Sequence, residues 1–120
     1  MRILVVDDHP DARLAIRLKL EREGIFEIDE AGDGLAALEA IRARSPVVAV
    51  VDFRMPGMDG LELTRRIKKE FPDVDVIGLT AFDDPYMRKE MVEAGASDIL
   101  MKSELGELLE ALKKRATTPD

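Results

Sequence analysis

Val47-Val48-Ala49-Val50-Val51-Asp52 is a run of five apolar residues closed by an acid. A strand with one wet face alternates apolar and polar side chains. This run does not alternate, so it reads as a strand buried on both faces, as in a parallel sheet between two layers of helices. Two further runs share the character: Ile3–Val6, ending at Asp7-Asp8, and Val74–Leu79, interrupted only by Asp75 near its start and followed by Thr80.

Helical segments lie between the runs. Pro10–Glu23 has helical composition and is closed by Gly24. Leu35–Arg44 is rich in Ala and Leu, with Leu35, Leu38 and Ile41 at helical spacing, and Pro46 follows it. Asp59–Phe71 carries Leu63, Ile67 and Phe71 at successive turns. Asp84–Ala94 ends at Gly95, and Leu105, Leu108, Leu109 and Leu112 draw an apolar stripe near the end of the chain. Two weaker strands complete the pattern, Phe26–Ala31 and Ser97–Met101. The boundaries have local causes. Pro10 and Pro85 suit a first helical turn, where a missing N–H costs nothing. Asp59, Asp84 and Ser103 are N-cap candidates, and Gly24 and Gly95 fit the left-handed position that closes a helix.

Five strands alternating with five helices predict an α/β fold, a doubly wound parallel sheet in three layers. Strand order follows from burial. Phe26–Ala31 alternates and Ser97–Met101 carries Ser97 and Asp98, so these two belong at the edges. Right-handed crossovers then permit the order 2-1-3-4-5.

Composition narrows the function classes. The 120 residues are 46% hydrophobic and 36% charged, enough to bury one core and remain soluble. One domain over 1–116 is expected, with 117–120 a polar tail or the start of a linker. No apolar run approaches the length of a membrane span. There is no cysteine, which removes disulfides, zinc–thiolate sites and cysteine nucleophiles. The net charge of −7 is the wrong sign for a phosphate-binding surface, so no direct nucleic-acid contact is expected. A cytoplasmic setting is the simplest expectation.

In an open parallel sheet, ligands bind beyond the carboxyl ends of the strands where the winding reverses, here between the first and third strands. Asp7, Asp8 and Asp52 arrive there, with Thr80 and Lys102 following the fourth and fifth strands. Carboxylates sharing one crevice repel, so their pKa values rise unless a cation joins them. Magnesium or manganese, with oxygen ligands, is the natural partner. Lys102 adds a compact positive charge and Thr80 a neutral donor, a set that suits a phosphoryl group. Asp52, nearest the sheet centre, is the expected nucleophile. Asp8 is the expected direct metal ligand, Asp7 an outer one, and the Arg54 backbone carbonyl can face the ion.

The stretches Leu4-Val5-Val6-Asp7-Asp8, Val51-Asp52-Phe53-Arg54-Met55-Pro56-Gly57-Met58-Asp59-Gly60, Gly78-Leu79-Thr80-Ala81 and Gly95–Lys102 together resemble the receiver domain of a two-component response regulator. The resemblance implies a flavodoxin-like sandwich. It implies that Asp52 accepts a phosphoryl group from a histidine kinase or phosphotransfer domain, with magnesium held by Asp7 and Asp8. It implies that Thr80 and Lys102 contact the phosphoryl oxygens and draw the loop after the fourth strand inward. The surface of residues 84–115 would then signal to a downstream domain or protein, with homodimerisation on phosphorylation as one form of output. Such a chain modifies itself and is a switch rather than an enzyme. Two positions depart from the pattern. Ile99 stands where many receivers carry an aromatic residue, and Ser103 where many carry proline.

Other readings compete. An unphosphorylated scaffold would use the same fold without the chemistry. A metal-dependent phosphohydrolase would want an acid two residues after the nucleophile, where this chain has Arg54. A flavodoxin-like cofactor binder would want a Ser/Thr/Gly-rich phosphate loop after the first strand, where this chain has Asp7-Asp8-His9-Pro10-Asp11. His9, the only histidine, reads as a loop or capping residue. Met55, Met58, Met87 and Met91 read as packing residues. Arg88, Lys89, Glu90 and Glu93 read as a solvated helix face, and Tyr86 as a residue with its hydroxyl in water.

Overall fold

The computed structural model describes residues 1–117. The elements run β1 (Arg2–Val6), α1 (Pro10–Glu21), β2 (Glu27–Ala31), α2 (Gly34–Ala43), β3 (Val48–Asp52), α3 (Gly60–Glu70), β4 (Asp75–Thr80), α4 (Pro85–Ala94), β5 (Asp98–Met101) and α5 (Leu105–Thr117). All four strand pairings are parallel, and the sheet order is β2-β1-β3-β4-β5. The edge assignment was therefore right, and for the reason given: β3 is buried along its whole length, while β2 and β5 have one buried residue each.

Each strand sends alternate side chains to opposite faces, and two cores result. On one face Leu4, Val6, Ala49, Val51 and Val76 meet Leu38 and Ile41 of α2, Leu63 and Ile67 of α3, and Met87 and Met91 of α4. On the other face Ile3, Val5, Val48, Val50, Ile77 and Leu79 meet Ile16 and Leu20 of α1 and Leu108 and Leu112 of α5. Removing a leucine side chain to alanine at such fully buried positions costs about 2–5 kcal/mol. The methionines pack as expected: Met55, Met87 and Met91 are buried and Met58 lies partly buried against the same core. Leu35 does not join Leu38 and Ile41. It sits at the first turn of α2 and is 64% exposed.

Caps set the helix starts. Asp59 accepts from the Glu62 N–H and Asp84 from those of Tyr86 and Met87. Asp33, which the sequence reading passed over, accepts from the Ala36 N–H and starts α2. Gly95 closes α4 with φ of 114°, a left-handed value that favours glycine. At the edge away from the strand carboxyl ends, Arg115 of α5 donates to Asp75 and to Ser97, and Ser97 donates to Asp75. This ties the last turns of α5 to the start of β4. The helix continues to Thr117; of the tail expected over 117–120, residues 118–120 lie outside those described.

Candidate functional site

The backbone at the carboxyl ends of the strands is pinned before any side chain is considered. The N–H of Asp7 donates to Ala31, that of Phe53 to Leu79, and that of Lys102 to Thr80, each bond extending a ladder by one residue. Asp52 is the last residue of β3 and Thr80 the last of β4. Asp7 and Lys102 each lie just past a strand end. Side chains from four strands therefore meet over one crest.

Asp7, Asp8, His9 and Asp52 each bring one ligand atom into a group whose members all lie within 4.8 Å of one another. Asp7 and Asp52 are buried, at 1% and 4% exposure. The Lys102 ammonium stands 2.8 Å from Oδ2 of Asp7 and 3.1 Å from Oδ1 of Asp52. Oδ1 of Asp7 accepts from the backbone N–H of His9 at 2.9 Å, an Asx turn. Arg13 of α1 donates to the Asp7 backbone carbonyl.

One ammonium does not satisfy this many acids. Asp7 Oδ2, Asp8 Oδ1 and Asp52 Oδ2 are buried atoms that accept no well-directed hydrogen bond. The first has Lys102 as an ion partner and the second has only the His9 ring, 3.2 Å away. An unpaired buried oxygen on an ionised group is costly. Burial, followed by the charge of Asp7, pushes the Asp52 carboxyl up to about 6, although Lys102 and the Arg54 backbone N–H pull the other way. For Lys102, burial opposes the charge, but hydrogen bonds and attraction from Asp7 and Asp52 prevail and its pKa is raised. A lysine held in its charged form beside an acid whose pKa is nonetheless raised describes a site short of positive charge. Oxygen donors of this kind fit a hard dication such as magnesium.

The structure brings the side chains of Asp7, Asp8, Asp52 and Lys102 together, while Thr80 ends the neighbouring strand β4 with its hydroxyl turned to its own loop. The Thr80 hydroxyl is buried and occupied: it donates to the Phe82 carbonyl at 2.8 Å and also accepts from the Phe82 N–H at 3.2 Å. It holds the loop after β4, and reaching an anion at the crest requires giving up the Phe82 carbonyl. For Arg54, the backbone N–H faces the Asp52 carboxylate, and its side chain lies 6.0 Å over the exposed Phe82 ring.

Three residues near the site show more than the sequence indicated. His9 occupies the N-cap position of α1 but makes no side-chain capping bond. Its Nδ1 turns instead to the acids, 3.4 Å from Asp7 Oδ1 and 3.2 Å from Asp8 Oδ1. Gly60 opens α3 hard against the site, and a Cβ there would lie 2.3 Å from the Asp52 carbonyl oxygen. Only its identity as glycine after a capping aspartate signalled this. Arg88, read as part of a solvated face, donates to the Ile99 carbonyl at 3.1 Å and to Asp83 at 3.0 Å, joining α4 to β5. Tyr86 is as exposed as expected, at 73%.

Known proteins share the family and the fold of this chain. A family model described as the response regulator receiver domain matches residues 3–113. Response regulator MprA of Mycolicibacterium vanbaalenii is 39% identical over 123 aligned positions, covering all of this chain and 53% of the relative. Response regulator GacA of Pseudomonas protegens is 33% identical over 115 residues, covering 94% of this chain and 54% of the relative. The solved signal receiver domain of NarL from Mycobacterium tuberculosis superposes with a TM-score of 0.89 at 34% identity, covering 98% of this chain and 97% of that one. The chain spans about half the length of the curated relatives it matches. Among the described residues, no helix is long and apolar enough to cross a membrane.

Proposed function

This chain belongs to the response regulator receiver domain family, and on that premise we propose that it is a phosphorylation-dependent switch whose Asp52 accepts a phosphoryl group from the phosphohistidine of a histidine kinase or phosphotransfer domain. The observation that carries the reading is the Lys102 ammonium bridging Asp7 and Asp52 while Oδ2 of Asp52 has no partner. That oxygen is a nucleophile in a buried site with a fixed cation beside it.

An Asp52 oxygen attacks phosphorus. The new O–P bond forms as the P–N bond to the donor imidazole breaks, and the electron pair stays on the imidazole nitrogen. Lys102 neutralises charge on the phosphoryl oxygens without moving far, because it already stands between the acids. Asp7, Asp8, Asp52 and the Arg54 backbone carbonyl would hold magnesium, or manganese. When bound, the ion offsets the negative charge gathered on the carboxylates and the phosphoryl group. Thr80 then exchanges the Phe82 carbonyl for a phosphoryl oxygen, which releases and repositions the loop it now holds.

The receiver unit comprises residues 1–116, and its state passes outward through residues 84–115 to a following domain or a separate partner, with phosphorylation-driven dimerisation as one form of that output. Exposed Tyr86 and Val92 on α4, with Phe82 just before it, give that surface apolar contact area. Ile99 is buried and its carbonyl accepts from Arg88, so transmission uses the loop after β4 and the Arg88 link rather than a swinging aromatic ring. Turnover of external phosphate esters is disfavoured because Arg54 offers no proton where a leaving group would need one.

The test is incubation with magnesium and acetyl phosphate, followed by intact mass. Incorporation of one labile phosphoryl group, absent in Asp52→Asn, is the expected result. A folded chain that takes up none favours the scaffold reading, and steady phosphate release from a simple ester favours the hydrolase.

A further inference from the structure

We infer that His9 is a nitrogen ligand at the acidic crevice, so that this site takes transition-metal dications of intermediate softness, such as nickel, in addition to magnesium. The inference rests on the metal-binding reading given above and goes beyond it in naming a ligand and a class of ion.

Three observations converge. The His9 ring is not employed elsewhere: it sits at the N-cap of α1 without a capping bond. Its Nδ1 instead lies 3.2 Å from Asp8 Oδ1 and 3.4 Å from Asp7 Oδ1, and it falls inside the same 4.8 Å group as the Asp52 carboxylate. The crevice also holds a buried carboxylate oxygen with no partner, Asp52 Oδ2, which points to a ligand beyond the protein's own groups.

Local covalent geometry holds the backbone that carries the ring close to the acids. Pro10 follows His9 and disfavours helical dihedrals at the residue before it. His9 is accordingly extended, with φ −95° and ψ 112°. Its backbone N–H is bound to Asp7. The ring is thus tethered over the acids on a short lever. It is 69% exposed, so it can adjust to an ion without disturbing the core. A neutral imidazole with its proton on Nε2 offers the Nδ1 lone pair toward the crevice.

Ion choice follows from ligand chemistry. Magnesium prefers oxygen and keeps its waters, so a nitrogen at the rim adds little to its affinity. Nickel, cobalt, zinc and copper bind imidazole strongly. A site of carboxylates plus one imidazole therefore separates the two classes.

The experiment uses the untagged chain. Isothermal titration with magnesium and with nickel compares wild type and His9→Ala, with circular dichroism to confirm that the variant is folded. The ratio of nickel to magnesium affinity is expected to fall at least about tenfold in His9→Ala, since losing even an outer-sphere partner of a metal ligand costs that much. Pulsed electron paramagnetic resonance of bound manganese supplies a direct readout. His9 is the only histidine in the chain, so any imidazole-nitrogen coupling comes from it. Coupling in wild type that vanishes in His9→Ala supports the inference. Magnesium binding with no nitrogen coupling and an unchanged nickel-to-magnesium ratio overturns it while leaving the oxygen site intact. Nickel held through His9 with no magnesium binding would sustain the nitrogen ligand and overturn the magnesium reading beneath it.

Discussion

Lys102, just past the end of β5, reaches over the end of β4 to stand 3.1 Å from Oδ1 of Asp52 on β3. It meets Asp7 Oδ2 at 2.8 Å on the far side. One ammonium therefore links the ends of β1, β3 and β5, and it offsets only part of the negative charge gathered at the crest of the sheet.

Lys102→Met should destabilise the metal-free protein by about 1–2 kcal/mol. That is less than for a fully buried pair, because the ammonium retains some exposure to water. The Asp52 carboxyl should titrate above about 6, its value with Lys102 in place. Saturating magnesium should recover part of the loss, since the ion supplies positive charge to the same oxygens. Urea denaturation of both proteins with and without magnesium measures this. An equal loss in both conditions would mean that Lys102 contributes through its methylenes and not through charge.

Asp52→Asn should raise metal-free stability by about 1–2 kcal/mol. Raising a carboxyl from 3.8 to about 6 sets a ceiling of about 3 kcal/mol, at about 1.4 kcal/mol per unit. The loss of the Lys102 partner takes some of that back. The same substitution should abolish the upward shift in Tm that magnesium gives the wild type. A variant that melts lower than wild type without metal would contradict the repulsion argument.

The pH dependence follows from the same group. The folded-state pKa of Asp52 is raised above its unfolded value, so between about 4 and about 6 the folded chain binds more protons than the unfolded one. Its contribution makes the metal-free protein less stable as pH rises through that window, with the full penalty present above about 6. Magnesium competes with the same proton, so its affinity should rise over the window and then level off. Wild type minus Asp52→Asn stability, measured across pH, isolates the contribution. A difference that stays flat from about pH 4 to about pH 7 would show that folding does not raise the Asp52 pKa.

The sheet order was legible because hydrophobic runs report burial directly: β1, β3 and the core of β4 read as continuous, and β2 alternates. The crest acids were legible because parallel strands deliver the residues at their carboxyl ends to one place whatever the side-chain detail. Less could be read where a contact joins residues far apart in the chain with no local pattern. Arg88 to the Ile99 carbonyl, and Arg115 to Asp75 and Ser97, are contacts of that kind. Each of these arginines looks like any solvated helix charge until the tertiary fold brings its partner near. His9 was placed correctly in the loop before α1, and only the direction of its ring was not legible. Its position before Pro10 correctly marked a helix start, but the direction of its ring depends on the Asx turn at Asp7.

Gly60 offers the sharpest test of how backbone packing supports the site. It lies at the start of α3, where an added Cβ would meet the Asp52 carbonyl oxygen at 2.3 Å and the Phe53 Cα at 2.8 Å. Both neighbours are backbone and cannot rotate away. Gly60 also donates its N–H to the Phe53 carbonyl, so it cannot withdraw without breaking that bond. Gly60→Ala should therefore cost about 1–3 kcal/mol, the range for overpacking a tight site. It should also push Asp52 off the crest, weakening magnesium binding and slowing phosphoryl uptake in protein that remains folded. Gly106→Ala, in α5 where a Cβ meets nothing within 4 Å, serves as the control: it should not lower stability and should leave magnesium binding unchanged. If Gly60→Ala lost stability but kept wild-type magnesium affinity, α3 would be yielding instead of β3, and the position of Asp52 would be set by the sheet alone.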